Sequence, residues 1–328
     1  MVECPHFEHL LVLPRLRVQN ANAISSPLTH GFPAISAFVG VMWALERKTR
    51  AVGLDLQFNA VGVVAHKAEE QVTNTGYVST FRLTRNPVDK DGKTSAIVEE
   101  GRMHLELSLV FAVESQALSD PALAQEIAKQ VAELVSNMRI AGGTVIPSSK
   151  APRRQSPVVV PLTGDQAGRT KLFNSLKMRL LPGFALVERQ DLLEQRYQEL
   201  LSKDSHASRL DAWLSLSRIN WRWQSEVEDP DKGLWQHDRQ DLGYIVPIPL
   251  GYGALTELQA AGSVANARDN TTPFRFVESL YGIGQWLSPH RLHSPQQLLW
   301  YADSQPENGL YRCRNDYRPT TTIDFDFN

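Results

Sequence analysis

Residues 10–32 read Leu-Leu-Val-Leu-Pro-Arg-Leu-Arg-Val-Gln-Asn-Ala-Asn-Ala-Ile-Ser-Ser-Pro-Leu-Thr-His-Gly-Phe, and the rest of the chain is organised around them. Leu11, Leu13, Leu16 and Val18 are apolar, with Arg15 and Arg17 turned the other way, so the stretch begins as a strand. The pattern then stops, and Gln19, Asn20, Asn22, Ser25, Ser26 and Thr29 follow. Amide side chains carry donor and acceptor together, which is what contact with a base edge requires. The same residue types also populate turns for backbone reasons, so at this level a binding loop and a plain turn both stand.

Working outward, Phe32–Arg50 reads as a helix, with Pro33 in its first turn and a stripe of Ile35, Phe38, Val39, Met42, Trp43 and Leu45. Residues 54–66 read as a strand with a kink near Asn59. Residues 67–103 hold few large apolar groups and carry the turn signal Asp91-Gly92, which predicts a hairpin arm projecting from the body. Arg82, Arg85, Asn86, Lys90 and Lys93 lie on or near it. His104–Val113 returns as a strand. Asp120 and Pro121 then open a helix that runs to about Arg139, with Gly142-Gly143 expected at its left-handed cap. Thr144–Pro147 is a short strand. This order predicts an α+β protein with a ferredoxin-like (RRM-like) βαββαβ head and an arm inserted between its middle strands.

The remainder elaborates that head, and residues 1–328 are read as a single domain. Residues 148–170 form a loop, Arg169–Leu181 a helix and 184–187 a strand. Short helices fall at about 190–203 and 208–220, followed by an acidic loop, so 190–243 is a helical and acidic elaboration. Tyr244–Leu250, with Pro247 and Pro249, is expected as an edge strand, and 266–291 to contain one helix.

Composition bounds the function. The apolar and charged fractions, 42% and 21%, are those of a globular protein, and no apolar run approaches the ~20 residues of a membrane helix. The N-terminus carries Glu3 and Glu8 and no secretory signature, which suggests a cytoplasmic protein. Cys4 and Cys313 are too few for a disulfide framework and are read as free thiols. Net charge is −2, against binding by bulk positive charge. Basic residues nevertheless gather at 139–179 (Arg139, Lys150, Arg153, Arg154, Arg169, Lys171, Lys177, Arg179), where they could track phosphates, and acidic ones at 223–241.

No phosphate-binding loop, zinc-peptidase helix or nucleophile elbow is present, no metal site is read, and no cofactor is called for. His30 is the best candidate for acid–base work on RNA, with His66 and His104 next, yet none has a partner visible in the sequence. The residues alone lead to an α+β protein for which RNA binding is the expected role.

A resemblance carries further. Leu13–Thr29, Leu-Thr-Arg-Asn-Pro (83–87), Ala-Ile-Val-Glu-Glu-Gly-Arg (96–102) and Met-Arg-Ile-Ala-Gly-Gly (138–143) each fit one family. Arg-Leu-Leu-Pro-Gly-Phe-Ala-Leu-Val (179–187), Val-Pro-Ile-Pro (246–249) and Trp-Leu-Ser-Pro-His-Arg (286–291) continue the match in order. The chain resembles the second Csy subunit of type I-F CRISPR surveillance complexes, a Cas-five-type member of the RAMP group. The resemblance implies a subunit without catalytic activity that holds the 5′ handle of the CRISPR RNA for antiviral DNA targeting. It implies as partners the large Csy subunit, the adjacent backbone Csy subunit, target DNA through the complex, and phage-encoded anti-CRISPR proteins. Handle contacts then fall on Arg15, Arg17, Gln19, Asn20, Asn22, Ser25 and Ser26, with His30 adjacent, and on Arg82, Arg85 and Asn86 of the arm. Arg139, Gly142 and Gly143, where backbone would approach RNA, and the outlying Arg268 and Arg275 complete the set. The alternatives are a metal-independent endoribonuclease that processes precursor RNA, and an adaptor that touches only protein.

Overall fold

In the computed structural model the residues described are 3–85, 88, 91–94, 97–147, 152, 155–162, 164–225 and 232–319. Strand β1 (His9–Asn22) is longer than its alternation suggests. Leu10 to Leu13 are all buried because both faces of this part of the sheet are covered, which erases the period of two. Farther on, the strand carries two irregularities, at Arg15 (φ 55°) and Asn20 (φ 58°), where its register against its neighbour shifts. The expected polar loop is thus largely strand. A tight hairpin follows, β2 (Ile24–Ser26) against β3 (Thr29–His30).

Helix α1 (Ile35–Ala51) buries the predicted stripe, though Trp43 stays partly exposed. Strand β4 (Gln57–Glu70) slips register between Phe58 and Ala60, which is the kink expected at Asn59. The insertion then forms two ribbons, β5 (Val72–Asn74) with β6 (Ser79–Phe81), and β7 (Leu83–Arg85) with β8 (Ile97–Glu99). It is shorter than expected, since Lys67–Glu70 and Arg102–Met103 belong to the main sheet. Strand β9 (Arg102–Glu114) leads to α2 (Pro121–Ser136), whose start Asp120 caps by accepting the Ala122 N–H at 2.9 Å.

The glycines after α2 do something other than cap it. Asn137 ends the helix, and β10 (Arg139–Ile140) turns into β11 (Gly143–Ile146) through Ala141 (φ 48°) and Gly142 (φ 77°). Two central residues with positive φ make the hairpin turn whose twist matches the strands. Gly143 is needed for a different reason: a Cβ there would lie 2.7 Å from the Ala21 nitrogen of β1.

The three long strands and the short β11 pair antiparallel in the order β11-β1-β9-β4. α1 and α2 lie on one face, where Phe38, Met42, Leu45, Ile127 and Val131 meet Leu11, Leu13, Leu107 and Leu109. Burying each such side chain fully contributes roughly 1.5–3 kcal/mol. The opposite face is covered only in part. There α3 (Gln166–Arg179) sets Phe173 and Leu176 against Leu10, Val12 and Val110, and β12 (Val158–Pro161) pairs with the outer edge of β1. Lys177 and Arg179 of the basic zone are used in this packing: Lys177 is buried with its ammonium 2.6 Å from the Leu292 carbonyl, and Arg179 donates to the Ser156 carbonyl. Lys150, Arg153 and Arg154 lie outside the described residues.

The second half closes a ring on β4. Strand β13 (Phe184–Glu188) pairs with β4 at Val64 and Ala65 and leads into α4 (Gln190–Leu201) and α5 (Arg209–Leu216). A ribbon of β14 (Trp221–Ser225) and β15 (Gly233–His237) follows. Asp238 beyond it pairs with Arg196, while Glu226, Glu228, Asp229 and Asp231 of the acidic loop lie outside the described residues. Then come β16 (Ile245–Ala254), β17 (Val277–Leu287), β18 (Leu299–Ala302) and β19 (Leu310–Asn315). The order β13-β17-β16-β19-β18 returns to β4, with Leu299 opposite Gly62. In all, eleven strands share one antiparallel sheet with five α-helices around it among the described residues.

Two expectations fail here. No α-helix forms within 266–291, only a single 3-10 turn at Pro289–Arg291. The core of that stretch is β17, where Gly282 and Gly284 stand on one face, and a Cβ there would lie within 3.0 Å of Leu250, Leu186 or Ile248. β16 is an edge only in its first half, where Pro247 and Pro249 lie; from Gly251 to Gly253 it pairs with β19. Among the described residues no helix is long and apolar enough to cross a membrane. Cys4 and Cys313 are free thiols, and burial pushes the Cys313 thiol up to about 12.

Candidate nucleic-acid interface

The face of the sheet opposite α1 and α2 changes character along its length. Under α3 it is apolar. Past Ser108, where no helix among the described residues covers it, the alternating positions present Arg17 and Gln19 on β1, His104 and Glu106 on β9, and Lys67 and Glu69 on β4. Strand register sets these in rows. Ile146, Arg17, Glu106 and Lys67 stand in line across four strands, and Arg139, Thr144 and Gln19 in line across three. The first row and Gln19 line a shallow depression of about 440 Å³, and Arg139 and Thr144 continue the second row beyond it.

Beneath the depression lies a closed hydrogen-bond network. The Arg15 guanidinium donates to Glu106 at 2.8 Å and to the carbonyls of Pro182 and Leu181 at 3.1 and 3.3 Å. Its backbone N–H donates to Ser108 Oγ at 3.1 Å. His66 links the same groups, with Nδ1 donating to the Pro182 carbonyl at 2.6 Å and Nε2 accepting from Ser108 Oγ at 2.7 Å. Burial holds the His66 pKa below its ordinary range, which keeps the ring neutral and the network in this sense. Arg15 therefore braces the 181–182 turn instead of facing solvent.

Asn20 occupies a left-handed conformation that asparagine tolerates better than most residues. Its side-chain Oδ1 accepts from the Gln71 amide at 2.8 Å, and Gln71 also reaches the His104 ring at 2.9 Å. Lys67 is paired with Glu69 at 2.8 Å on the open surface, an arrangement that raises the lysine pKa and lowers the carboxylate's. Among the described residues Arg17, Gln19 and Arg139 are exposed and make no side-chain hydrogen bond within the chain. Two cations and one amide are thus turned outward on a rigid sheet. None of the side chains lining the depression is Phe, Tyr or Trp. The face can engage a strand by charge and hydrogen bonding, with the His104 ring the one aromatic ring in the lining.

The other expected residues scatter. Asn22 closes a local ring with Ile24, accepting its N–H and donating to its carbonyl. Ser25 and Ser26 bond Thr29 across the β2–β3 turn, so all three polar groups serve the hairpin itself. His30 pairs with Glu70 at 3.1 Å and meets the Phe81 ring edge-on, clasping the root of the arm. Arg82 is exposed on the arm. The side chain of Arg85 and all of Asn86 lie outside the described residues. Gly142 and Gly143 serve the turn and the packing described above. Arg268 is exposed in the long connection between β16 and β17. Arg275 spends its guanidinium on the Pro306 carbonyl at 3.1 Å. The sequence reading passed over Lys67, Glu69 and Gln71. The signal for the first two was available, because Lys67-x-Glu69 and His104-x-Glu106 alternate on adjacent strands as Arg17-x-Gln19 does on β1.

Comparison with known proteins agrees with the blocks quoted above. The family described as CRISPR-associated protein (Cas_Csy2) matches residues 11–313. The CRISPR-associated protein Csy2 of Pseudomonas aeruginosa (strain UCBPP-PA14) is 48% identical over 313 residues, spanning 93% of this chain and 94% of that protein. The chain therefore belongs to the Csy2 family, the second Csy subunit of type I-F CRISPR systems.

Proposed function

We propose that the chain is a non-catalytic, cytoplasmic subunit of the surveillance complex that binds the 5′ handle of the CRISPR RNA on the polar end of its sheet. The observation that carries this reading is the juxtaposition of Arg17, Gln19 and Arg139, outward and unspent, beside Lys67 and His104 on an uncovered face. The arginines would hold phosphates and the amide a base edge, which is how single strands are held where stacking groups are few. The strand order β11-β1-β9-β4 with two helices on one face supports a ferredoxin-like head, and the insertion between β4 and β9 supports a protruding arm. The large Csy subunit and the adjacent backbone subunit would supply the remaining surface, since the modest net charge leaves part of the affinity to partners. In support of a binding role over cleavage, His30, His66 and His104 are each engaged by groups of the chain itself.

The test uses the reconstituted complex with fluorescent handle RNA, titrated from low to moderate salt. Arg17→Ala and Arg139→Ala should each weaken RNA retention and reduce the slope of log affinity against log salt by roughly 0.7, the share of one phosphate contact on a single strand. Gln19→Ala should lower affinity with the slope unchanged. A triple variant with parental affinity and slope refutes the assignment.

A further inference from the structure

A second concavity lies on the other side of β4. It is a cleft of about 700 Å³ between the chain leaving β3 and the proline-bearing half of β16, within the range of built binding sites. Phe32, Phe184, Tyr244, Pro247, Pro249 and Trp286 line it. Phe184 and Tyr244 are 56% and 70% exposed, an unusual state for large aromatic side chains at a concave surface.

Two features define what fits. The first is an open strand edge. β4 pairs on this side with β18 at Val61–Gly62 and with β13 at Val64–Ala65, and there the pairing stops. From Lys67 to Glu70 the edge away from β9 has no strand partner among the described residues, and Lys67, Ala68 and Glu70 lie along the cleft. The facing segment of β16 carries prolines, which lack the N–H needed to complete a ladder, so the cleft cannot be sealed from within. The second feature is a rim whose polar groups are matched in place. His30 holds Glu70, Lys67 holds Glu69, and His66 is bonded at both nitrogens. A nucleotide would bring a phosphate to a rim with no unmatched cation, whereas an apolar chain segment needs none.

We infer that the cleft receives an extended apolar segment of another protein subunit. The segment adds as a short strand to β4 at residues 67–70 and sets alternate side chains among Phe184, Tyr244 and Trp286. Main-chain pairing gives such a contact its register, and the aromatic cleft gives it selectivity. This docking mode is independent of whether RNA lies on the opposite face.

Tyr244→p-benzoyl-phenylalanine in the purified, RNA-loaded complex tests it directly. Irradiation should join this residue to a peptide of a neighbouring protein subunit, and Phe184→Asp should cut the yield at least fivefold. Backbone amides 67–70 should exchange with deuterium at least tenfold more slowly in the complex than in the free chain. Crosslinking to RNA, to this chain alone or to nothing overturns the inference, as does unchanged exchange at 67–70.

Discussion

Arg15→Ala separates a bracing role from a binding one, because Arg15 and Arg17 are two residues apart and do different work. The Arg15 side chain is one-fifth exposed and makes three charge-assisted bonds, to Glu106 and to two carbonyls of the 181–182 turn. Each such bond contributes about 1.5–3 kcal/mol when a charged group is involved. Truncation does not forfeit all three. The Pro182 carbonyl keeps its bond to His66, and Glu106 is exposed enough to recruit water. One full bond and part of a second are lost, about 2–3 kcal/mol in total. Alanine bears the same left-handed backbone as arginine, so no conformational term intervenes. At roughly 2.1 cal/mol/K of unfolding entropy per residue, that loss lowers the melting temperature by about 3–4 °C. Differential scanning calorimetry of the RNA-free protein is the assay. Arg17→Ala is the control, and its exposed position should keep it within about 0.5 kcal/mol of the parent. If Arg15→Ala melts with the parent, or Arg17→Ala falls as far, the division of labour drawn here is wrong.

Gly143→Ala forces a Cβ to within 2.7 Å of the β1 backbone, and overpacking of this kind costs about 1–3 kcal/mol; a lowered denaturation midpoint in urea would show it. Asn20→Gly keeps the left-handed backbone but removes the amide that holds Gln71. Stability should change by less than about 1 kcal/mol while RNA retention in the assembled complex drops, and equal affinity would remove Asn20 from the interface. For pH, burial lowers the His66 pKa below its ordinary 6.5, so as pH falls through that value the unfolded chain takes up the proton first. Melting temperature should therefore decline from pH 7 toward pH 5, and His66→Gln should flatten part of that decline. Buried His9, lowered in the same sense, retains the rest.

The sequence was most legible where pattern and local chemistry coincide. Asp120-Pro121 marks the start of α2 because capping is decided by neighbours in the chain, and the β4 kink shows at Asn59 for the same reason. It was least legible where contacts are remote. Gly282 and Gly284 break a helical pattern only once Leu250 and Ile248 are known to press against them. Of the polar run after Val18, Asn22, Ser25 and Ser26 turned out to satisfy their own hairpin, a local use that composition cannot distinguish from ligand contact. Gln19 stayed on the exposed face, joined by Lys67 and His104 from strands distant in sequence, while Asn20 bonds Gln71 beside it. Arg15 shows the same limit: only the position of the 181–182 turn reveals what its guanidinium does.

The closure of β18 on β4 has a consequence for biogenesis. Gly62 and its partner Leu299 stand roughly 240 residues apart, a separation that places this pairing among the slowest a single domain can make. During translation at about 5–20 residues per second, the Val61–Gly62 part of the β4 edge stays unpaired for roughly 10–50 s after it has been made. Through that interval Val61 and Gly62 lack the strand that pairs them, whereas Val64 and Ala65 gain theirs once β13 has been made. Chaperone occupancy on ribosomes should therefore peak in this window, and chains truncated before residue 299 should be the species that aggregate.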